Sequence, residues 1–496
     1  LSSIKKLAGQ TAIYGVSSIL GRFLNYLLVP LHTALFMKSQ YGVITEMYSY
    51  VSFLAVLLMY GMETAYFRYS SKEGADKESV YTTVIYSLIA TSVLFVATVT
   101  WFSPSIATFL KYSNHPEYVI CFAFILGLDA LTAIPLARLR SENKAKRFAI
   151  VNITGIAVNI LLNLFFLGYC MVSYNKGHSN FLIKLVYSPA IGVGYVFIAN
   201  LLASVVKFLL LTPELLKARH RFNPVLLKGM LVYAFPLLIF GFAGIINETL
   251  DRVMLKWMLY NRIGAEATMS QLGIYGACYK LSIIITLFIQ AYRYAAEPFF
   301  FAHEKEKNSL RIYSRIMTYF VIVCATIFLG VILYLDIAKY FIHKSYWSGL
   351  KIVPVLMAAN ICLGIYYNQS IWYKLSGKTM WGAYLGLFGA AITIGLNYLW
   401  IPAFGYVGSA WATLICYFSM MMASYFLGQK YYPIPYNLRR VLTYLGSAFV
   451  LYGISTLFHF EHLWAKMTVH TIIFIFFLAI VGLIEISVAK GNPKKV

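Results

Sequence analysis

Charge is scarce in this chain, and acidic charge most of all. Only 12% of the 496 residues are charged, with 18 Asp and Glu against 41 Lys and Arg. A soluble domain carries about 25% charged residues, so a water-facing globule of this length is excluded. Cysteine is also sparse. Cys121, Cys170, Cys278, Cys324, Cys362 and Cys416 all fall in or beside apolar runs, and no CxxC pair occurs. That spacing excludes a disulfide framework or a structural zinc site and suits small residues of a membrane core. Long polar loops are missing as well. The longest connection assigned below to the outer side, 173–187, holds His178 and no Asp or Glu. A membrane-embedded sugar polymerase or glycosyltransferase would need catalytic carboxylates or bases in such a loop.

What is present is apolar. Hydrophobic residues make up 60% of the chain and the mean hydropathy is +0.71. Aromatic residues reach 17%, with 40 Tyr and 36 Phe, which suits membrane interfaces and cavity walls. The net charge of +23 does not point to nucleic acid, because the basic residues are scattered in short clusters between apolar runs instead of gathered on one face.

A membrane-spanning helix needs about 20 mainly apolar residues. Fourteen such runs occur: 11–36, 42–66, 79–103, 116–137, 148–172, 188–212, 227–258, 271–297, 313–335, 348–373, 379–401, 404–428, 438–459 and 464–488. Pro30, Pro135, Pro236 and Pro354 lie inside runs and predict kinks. The first run follows Ile4-Lys5-Lys6 and contains Arg22, a pattern expected of a retained helix rather than a cleaved signal. With a cytoplasmic N-terminus, and with residues near a run's end counted in the adjoining segment, inside segments hold 26 Lys and Arg, outside segments 10, and the run interiors five: Arg22, Lys207, Arg252, Lys280 and Arg293. This positive-inside asymmetry predicts both termini on the cytoplasmic side.

The runs repeat internally. Asn159–Leu167 resembles Ile394–Ile401, and each is followed by Gly-Tyr-Val (Gly194–Val196 and Gly405–Val407). Tyr41-Gly42-Val43 likewise matches Leu272-Gly273-Ile274, and Arg22 matches Arg252. The Gly-Tyr-Val pair is 211 apart, and the other three matches have offsets of 230, 231 and 234, which predicts two parallel six-helix copies followed by two extra helices. The expected divisions are 1–218, 219–432 and 433–496. Parallel repeats of this kind are a transporter design with the substrate held between the halves.

Particular residues then resemble a known family. They are Gly21-Arg22 with Tyr41-Gly42, Asp251-Arg252-x-Met254-Leu255, Leu272-Gly273-Ile274-Tyr275 with Tyr279-Lys280, and Arg293 with Glu297-Pro298. Together they resemble the polysaccharide-transporter branch, of Wzx-type flippases, in the multidrug/oligosaccharidyl-lipid/polysaccharide exporter superfamily. The resemblance implies an all-α V-shaped bundle of 6+6 helices plus two in a bacterial inner membrane. It implies transfer of an undecaprenyl-diphosphate-linked oligosaccharide, an O-antigen, capsule or exopolysaccharide unit, with no cofactor and no catalysis. Expected partners are that lipid-linked sugar, membrane lipids and other polysaccharide-assembly proteins. A multidrug antiporter of the same superfamily is the alternative.

An ionisable residue at mid-bilayer costs about 2.5–3.5 kcal/mol on insertion scales, so each needs a reason. Arg22 either lines a cavity and holds diphosphate oxygens or pairs with Glu46 or Asp129. Glu46 and Asp129 are the candidates for coupling to a proton or sodium gradient, with pairing to Arg22 or Lys207 as the plainer reading. Glu248 and Arg252, and Arg293 and Glu297, are each four apart and can pair on one helix face; Asp251 is expected to point elsewhere. Lys280 is the mid-span cation of the second half. Arg22, Arg252, Lys280 and Arg293 form the expected substrate-binding set. The loop residues Arg138, Arg140 and Lys144 either capture an anionic headgroup or serve only the positive-inside rule. Asn152, Asn159, Asn163, Asn360, Asn368 and Asn397 are expected mainly to bridge helices.

Overall fold

In hydrocarbon every backbone amide must be satisfied within its own segment, so a chain this apolar and this poor in alternating patterns folds as helices. The computed structural model describes residues 20–21, 23–178, 180–219, 222–302, 306, 308–458 and 462–490, and among them it contains helices and no strand. Twelve helices are long and apolar enough to cross a membrane, or thirteen with the bent pair Ala265–Leu281 and Ile283–Tyr294. The start of the first expected run, 11–19, and Arg22 lie outside the described residues; the rest of the run carries the shorter apolar helix Phe23–Leu35.

By internal packing the chain divides into residues 1–273 and 274–496, the boundary falling inside the helix Ala265–Leu281. In the first unit, α1 (Lys38–Met59) continues after a break at Tyr60-Gly61 into α2 (Met62–Ser70). Tyr60 and Gly61 both have positive φ, 31° and 74°, the left-handed backbone that glycine tolerates at a helix interruption. Next come α3 (Lys77–Trp101), α4 (Pro116–Ser141), α5 (Ala145–Asn163), α6 (Gly194–Leu215) and α7 (Pro224–Ile263). The carboxylate of Asp76 caps α3 by accepting from the Glu78 and Ser79 amides, and Asn223 caps α7 at the Leu226 amide. α4 packs between α3 and α6, and α7 lies along α1 and α2. Met62, Tyr66, Tyr81, Val84, Ile134 and Met230 are buried where these helices meet.

In the second unit, α8 (Ser309–Leu333) packs on α9 (Leu438–Leu457) and α10 (Leu463–Lys490), while Val353–Gln369 packs on Tyr406–Tyr431, which packs on Met380–Phe404. Asp336, just past α8, accepts from Lys339 (2.7 Å) and lies 2.6 Å from the Lys466 ammonium of α10. Burial alone would raise its pKa, but the two lysines outweigh that and hold it below the usual carboxylate range.

Three expectations about helix shape need correction or addition. Pro354 is not a mid-span kink: it stands in the first turn of Val353–Gln369, after a 3-10 stretch Lys344–Ile352, where a missing amide hydrogen costs nothing. Pro135 and Pro236 do lie inside helices. The sharpest break, 49° at Ser282, has no proline. Residues Leu164–Met171 form a π-helix that no apolar pattern announces.

At the start of α1 the chain approaches the helix Ala265–Leu281 closely. A Cβ on Gly42 would run into the carbonyl oxygen of Met269, and one on Gly273 into that of Lys38. Overpacking a tight contact typically costs about 1–3 kcal/mol. Gly42→Val and Gly273→Val should each lower the thermal midpoint of the purified protein in detergent. Gly395→Ala, whose added methyl meets nothing within 4 Å, should leave it unchanged; equal midpoints for all three would refute the close approach.

Candidate functional site

Helical spacing places polar residues in stripes. Asp129, Ala133, Leu136 and Arg140 recur three or four apart along α4, Phe148, Asn152 and Ile156 four apart along α5, and Gly21 and Asn25 four apart in the first segment. With Glu63 of α2 and Lys207 of α6, these stripes line a cavity of about 410 Å³ in the first unit. Gly21 allows the close approach on that wall, because a Cβ there would meet the Ile156 side chain.

The charged residues of this cavity stand in pairs. The Lys207 ammonium lies 3.5 Å from Asp129 Oδ1, which also accepts from the Ser204 hydroxyl at 3.1 Å. Arg140 is ion-paired with Glu63. Side-chain exposures of 24% and 46% for Lys207 and Asp129, and 35% and 40% for Arg140 and Glu63, leave both pairs hydrated. Hydrated pairs contribute about 0–1 kcal/mol, so the cavity separates its charges cheaply.

The neighbouring loop is built differently. The Arg138 guanidinium grips Glu78 with two hydrogen bonds (2.9 and 2.5 Å), donates from Nε to Glu142 (2.5 Å), and lies over the Tyr81 ring. Lys144 donates to the other Glu142 oxygen at 2.5 Å. Burial would raise the Glu142 pKa, but the bonds from Lys144 and Arg138 prevail and hold it below its usual range. Of the three residues expected to meet a headgroup, Arg140 is on the cavity wall, while Arg138 and Lys144 tie the α4–α5 turn to the start of α3.

Where α1 begins and α7 ends, the ionic contacts are dry. Lys256 of α7 and Glu46 of α1 are 2.7 Å apart, with side-chain exposures of 1% and 0%. The ammonium also donates to the Leu110 carbonyl (2.6 Å) and sits over the Tyr112 ring, whose hydroxyl donates to the second Glu46 oxygen. Burial first, then the Glu46 charge, pushes the Tyr112 phenol well above its ordinary pKa, so it remains a donor. Trp257 next to Lys256 donates to Tyr50 at 2.9 Å. Sequence reasoning missed Lys256 and Tyr112. The apolar run ends at 258, which put Lys256 at the rim, but α7 continues to Ile263 and carries it inside. Tyr112 sits in a loop and gives no signal.

The remaining expected residues are dispersed. Arg252 is buried; it donates to the main-chain carbonyl of Glu248 (2.5 Å) and lies 3.4 Å from the Asp251 carboxylate, which therefore does not point elsewhere. Lys280 is half-buried beside the break at Ser282. Arg293 stands over the Tyr367 ring at 4.2 Å, in a small pocket with Asn368 and Lys374. Its expected partner Glu297 has a side chain outside the described residues. The asparagines mostly bridge: Asn159 to Asn25, Asn163 to His32, Asn360 to the Ser282 carbonyl and Asn368 to Tyr292. Asn397 instead bonds within its own helix, to the Thr393 carbonyl, and Asn152 lines the cavity.

Apolar helices long enough to span a membrane, packed around a polar cavity, define a multi-pass membrane protein. Residues 7–304, more than half the chain, match the family model for polysaccharide biosynthesis proteins, and the chain belongs to that family. No curated protein matches the sequence. Among solved structures, the lipid II flippase MurJ in an inward closed conformation is 16% identical, with a TM-score of 0.69 over 96% of this chain and 99% of that one. An inward-facing multidrug resistance MATE family transporter of the MOP superfamily is 16% identical, with a TM-score of 0.59 over 82% and 93%. A variant of the Vibrio cholerae MATE transporter VcmN is 13% identical, with a TM-score of 0.53 over 86% and 96%. The fold is that of the multidrug/oligosaccharidyl-lipid/polysaccharide exporters.

Stranding one partner of a buried ion pair costs about 3–5 kcal/mol, whereas removing both is often nearly neutral. Lys256→Met alone should therefore lower the thermal midpoint in detergent more than Lys256→Met combined with Glu46→Gln. Additive losses in that double-mutant cycle would show that the two side chains are not coupled.

Proposed function

We propose that the protein is a Wzx-type flippase that moves an oligosaccharide linked to undecaprenyl diphosphate across the bacterial inner membrane by alternating access, and that it catalyses no reaction. The observation that carries this reading is the hydrated cavity holding Lys207 and Arg140 inside a bundle of the polysaccharide biosynthesis family. Guanidinium and ammonium groups on a cavity wall are suited to phosphate oxygens. The dry Lys256–Glu46–Tyr112 cluster and the Gly42–Gly273 approach form a closure at the start of α1, separate from the residues that line the cavity, and alternating access requires one closed side and one open side. The prenyl tail stays in lipid while the headgroup passes.

The fold is assigned fourteen crossings with both termini cytoplasmic: the twelve helices, the bent pair, and a first span that includes Phe23–Leu35. Two six-helix repeats are supported by the reciprocal glycine contact. Gly42 meets Met269 and Gly273 meets Lys38, and each residue of the second helix is 231 positions after its counterpart in the first, the offset found in the sequence. Arg22, Arg252, Lys280 and Arg293 remain the proposed headgroup set, joined by Lys207 and Arg140. Coupling to a proton or sodium gradient is assigned to Asp129, which borders the cavity, in preference to Glu46, which is held in the dry pair.

Deleting the gene should cause one lipid-linked sugar to accumulate on the inner leaflet, identified by mass spectrometry of extracted lipids. Arg22→Ala and Lys280→Ala should abolish surface glycan with the protein still in the membrane. Normal glycan from both variants would sink the cavity assignment. Flipping that persists in vesicles after both gradients are collapsed would remove Asp129 from the coupling role.

A further inference from the structure

The cavity's cations are already satisfied. Among the described residues lining it, two carboxylates and two basic groups are matched one to one, Asp129 with Lys207 and Glu63 with Arg140. At these four groups an anionic ligand meets balanced charge and gains little from Lys207 unless Asp129 gives way.

We propose that Asp129 is an internal counter-anion that competes with the phosphate oxygens of the ligand for Lys207, and that Ser204 receives the displaced carboxylate. This rests on the flippase reading and deepens it.

Three observations carry the proposal. The Asp129–Lys207 separation of 3.5 Å is loose beside the 2.7 Å of Lys256–Glu46, and its members are 46% and 24% exposed where those of the dry pair are 0% and 1%. A loose, hydrated pair exchanges partners readily; a dry one does not. Asp129 Oδ1 also accepts from Ser204 Oγ at 3.1 Å. Ser204 lies one turn before Lys207 on α6, so the carboxylate keeps a donor when the ammonium turns to a ligand. Finally, Arg140 Nε is buried without a hydrogen-bond partner. Enclosed in this way, that donor does not reach a ligand while Arg140 is paired with Glu63, so the competition is read at Lys207.

The ligand class that profits is a phosphate or diphosphate ester. A lipophilic cation would be favoured by Asp129 and would lose by its removal. The sign of the Asp129 effect therefore separates the two transporter classes of this fold.

The test uses the full chain in nanodiscs, with farnesyl diphosphate and tetraphenylphosphonium as probes and melting curves as the folding control. Asp129→Asn should tighten farnesyl diphosphate binding by about threefold to fivefold, the scale of one hydrated ion pair. Lys207→Gln should weaken it by about tenfold, and adding Asp129→Asn to Lys207→Gln should change nothing further. Ser204→Ala, a small change that tests the idea even where the Asp129 variant folds poorly, should weaken binding by about twofold, and only while Asp129 is present. If Lys207→Gln weakens binding but Asp129→Asn leaves it unchanged or weaker, the competition is wrong and the cavity reading stands. If the wild type binds tetraphenylphosphonium but not farnesyl diphosphate, the flippase reading itself falls.

Discussion

Removing a charge from water costs more than almost any other contact in a protein returns, and a chain of apolar helices offers little water inside. The described part of this structure meets that constraint by pairing. Lys256 is enclosed by Glu46, the Leu110 carbonyl and the Tyr112 ring; Arg138 is held by Glu78 and Glu142; Arg252 lies beside Asp251. Two of these pairings fix helices as well as charge. Lys256–Glu46 joins α7 to α1, and Arg138–Glu78 joins α4 to α3. The scarcity of acids thus shapes the fold: with few carboxylates, each one decides where a basic residue can be buried.

The pairs are of two kinds, and the difference assigns work to two places in the bundle. Where α1 begins and α7 ends, the ionic groups are dry and their hydrogen bonds are full, so separating them is costly. Glu63 at the start of α2, Asp129 and Arg140 along α4, and Lys207 on α6 border a cavity and are partly exposed. Charges there can be exchanged for those of a visitor. The alternating access proposed above needs both behaviours, because a side that never holds closed leaks and a side without replaceable partners binds nothing.

The helices were legible because their signal is long and local: about 20 apolar residues in succession leave little choice of structure. The Asp129–Lys207 pair was among the alternatives the sequence allowed. The partner of Glu46 was not, since Lys256 is 210 residues away and lies beyond where the apolar run suggested burial ends. Tyr112 comes from a loop, whose path no periodicity records. Helix irregularities were hidden for a related reason. The 49° break at Ser282 and the π-helix Leu164–Met171 occur without proline, so they arise from packing partners that a local pattern does not contain. Pro354 was the converse case, a visible breaker made harmless by its place in a first helical turn.

The glycine contact shows how a duplicated segment can constrain itself. In the proposed repeat, Gly42 and Gly273 are equivalent, and each stands against the backbone of the other's helix. Where two equivalent helices cross near their symmetry axis, a residue meets its own counterpart, as in an isologous dimer interface. A side chain at that position would appear on both sides and double its own steric demand. Glycine is the residue that removes the demand from both sides at once. Under that proposal, a match that in the sequence is merely a pair of similar tripeptides has a physical cause: the two copies would be small in the same place because that is where they touch.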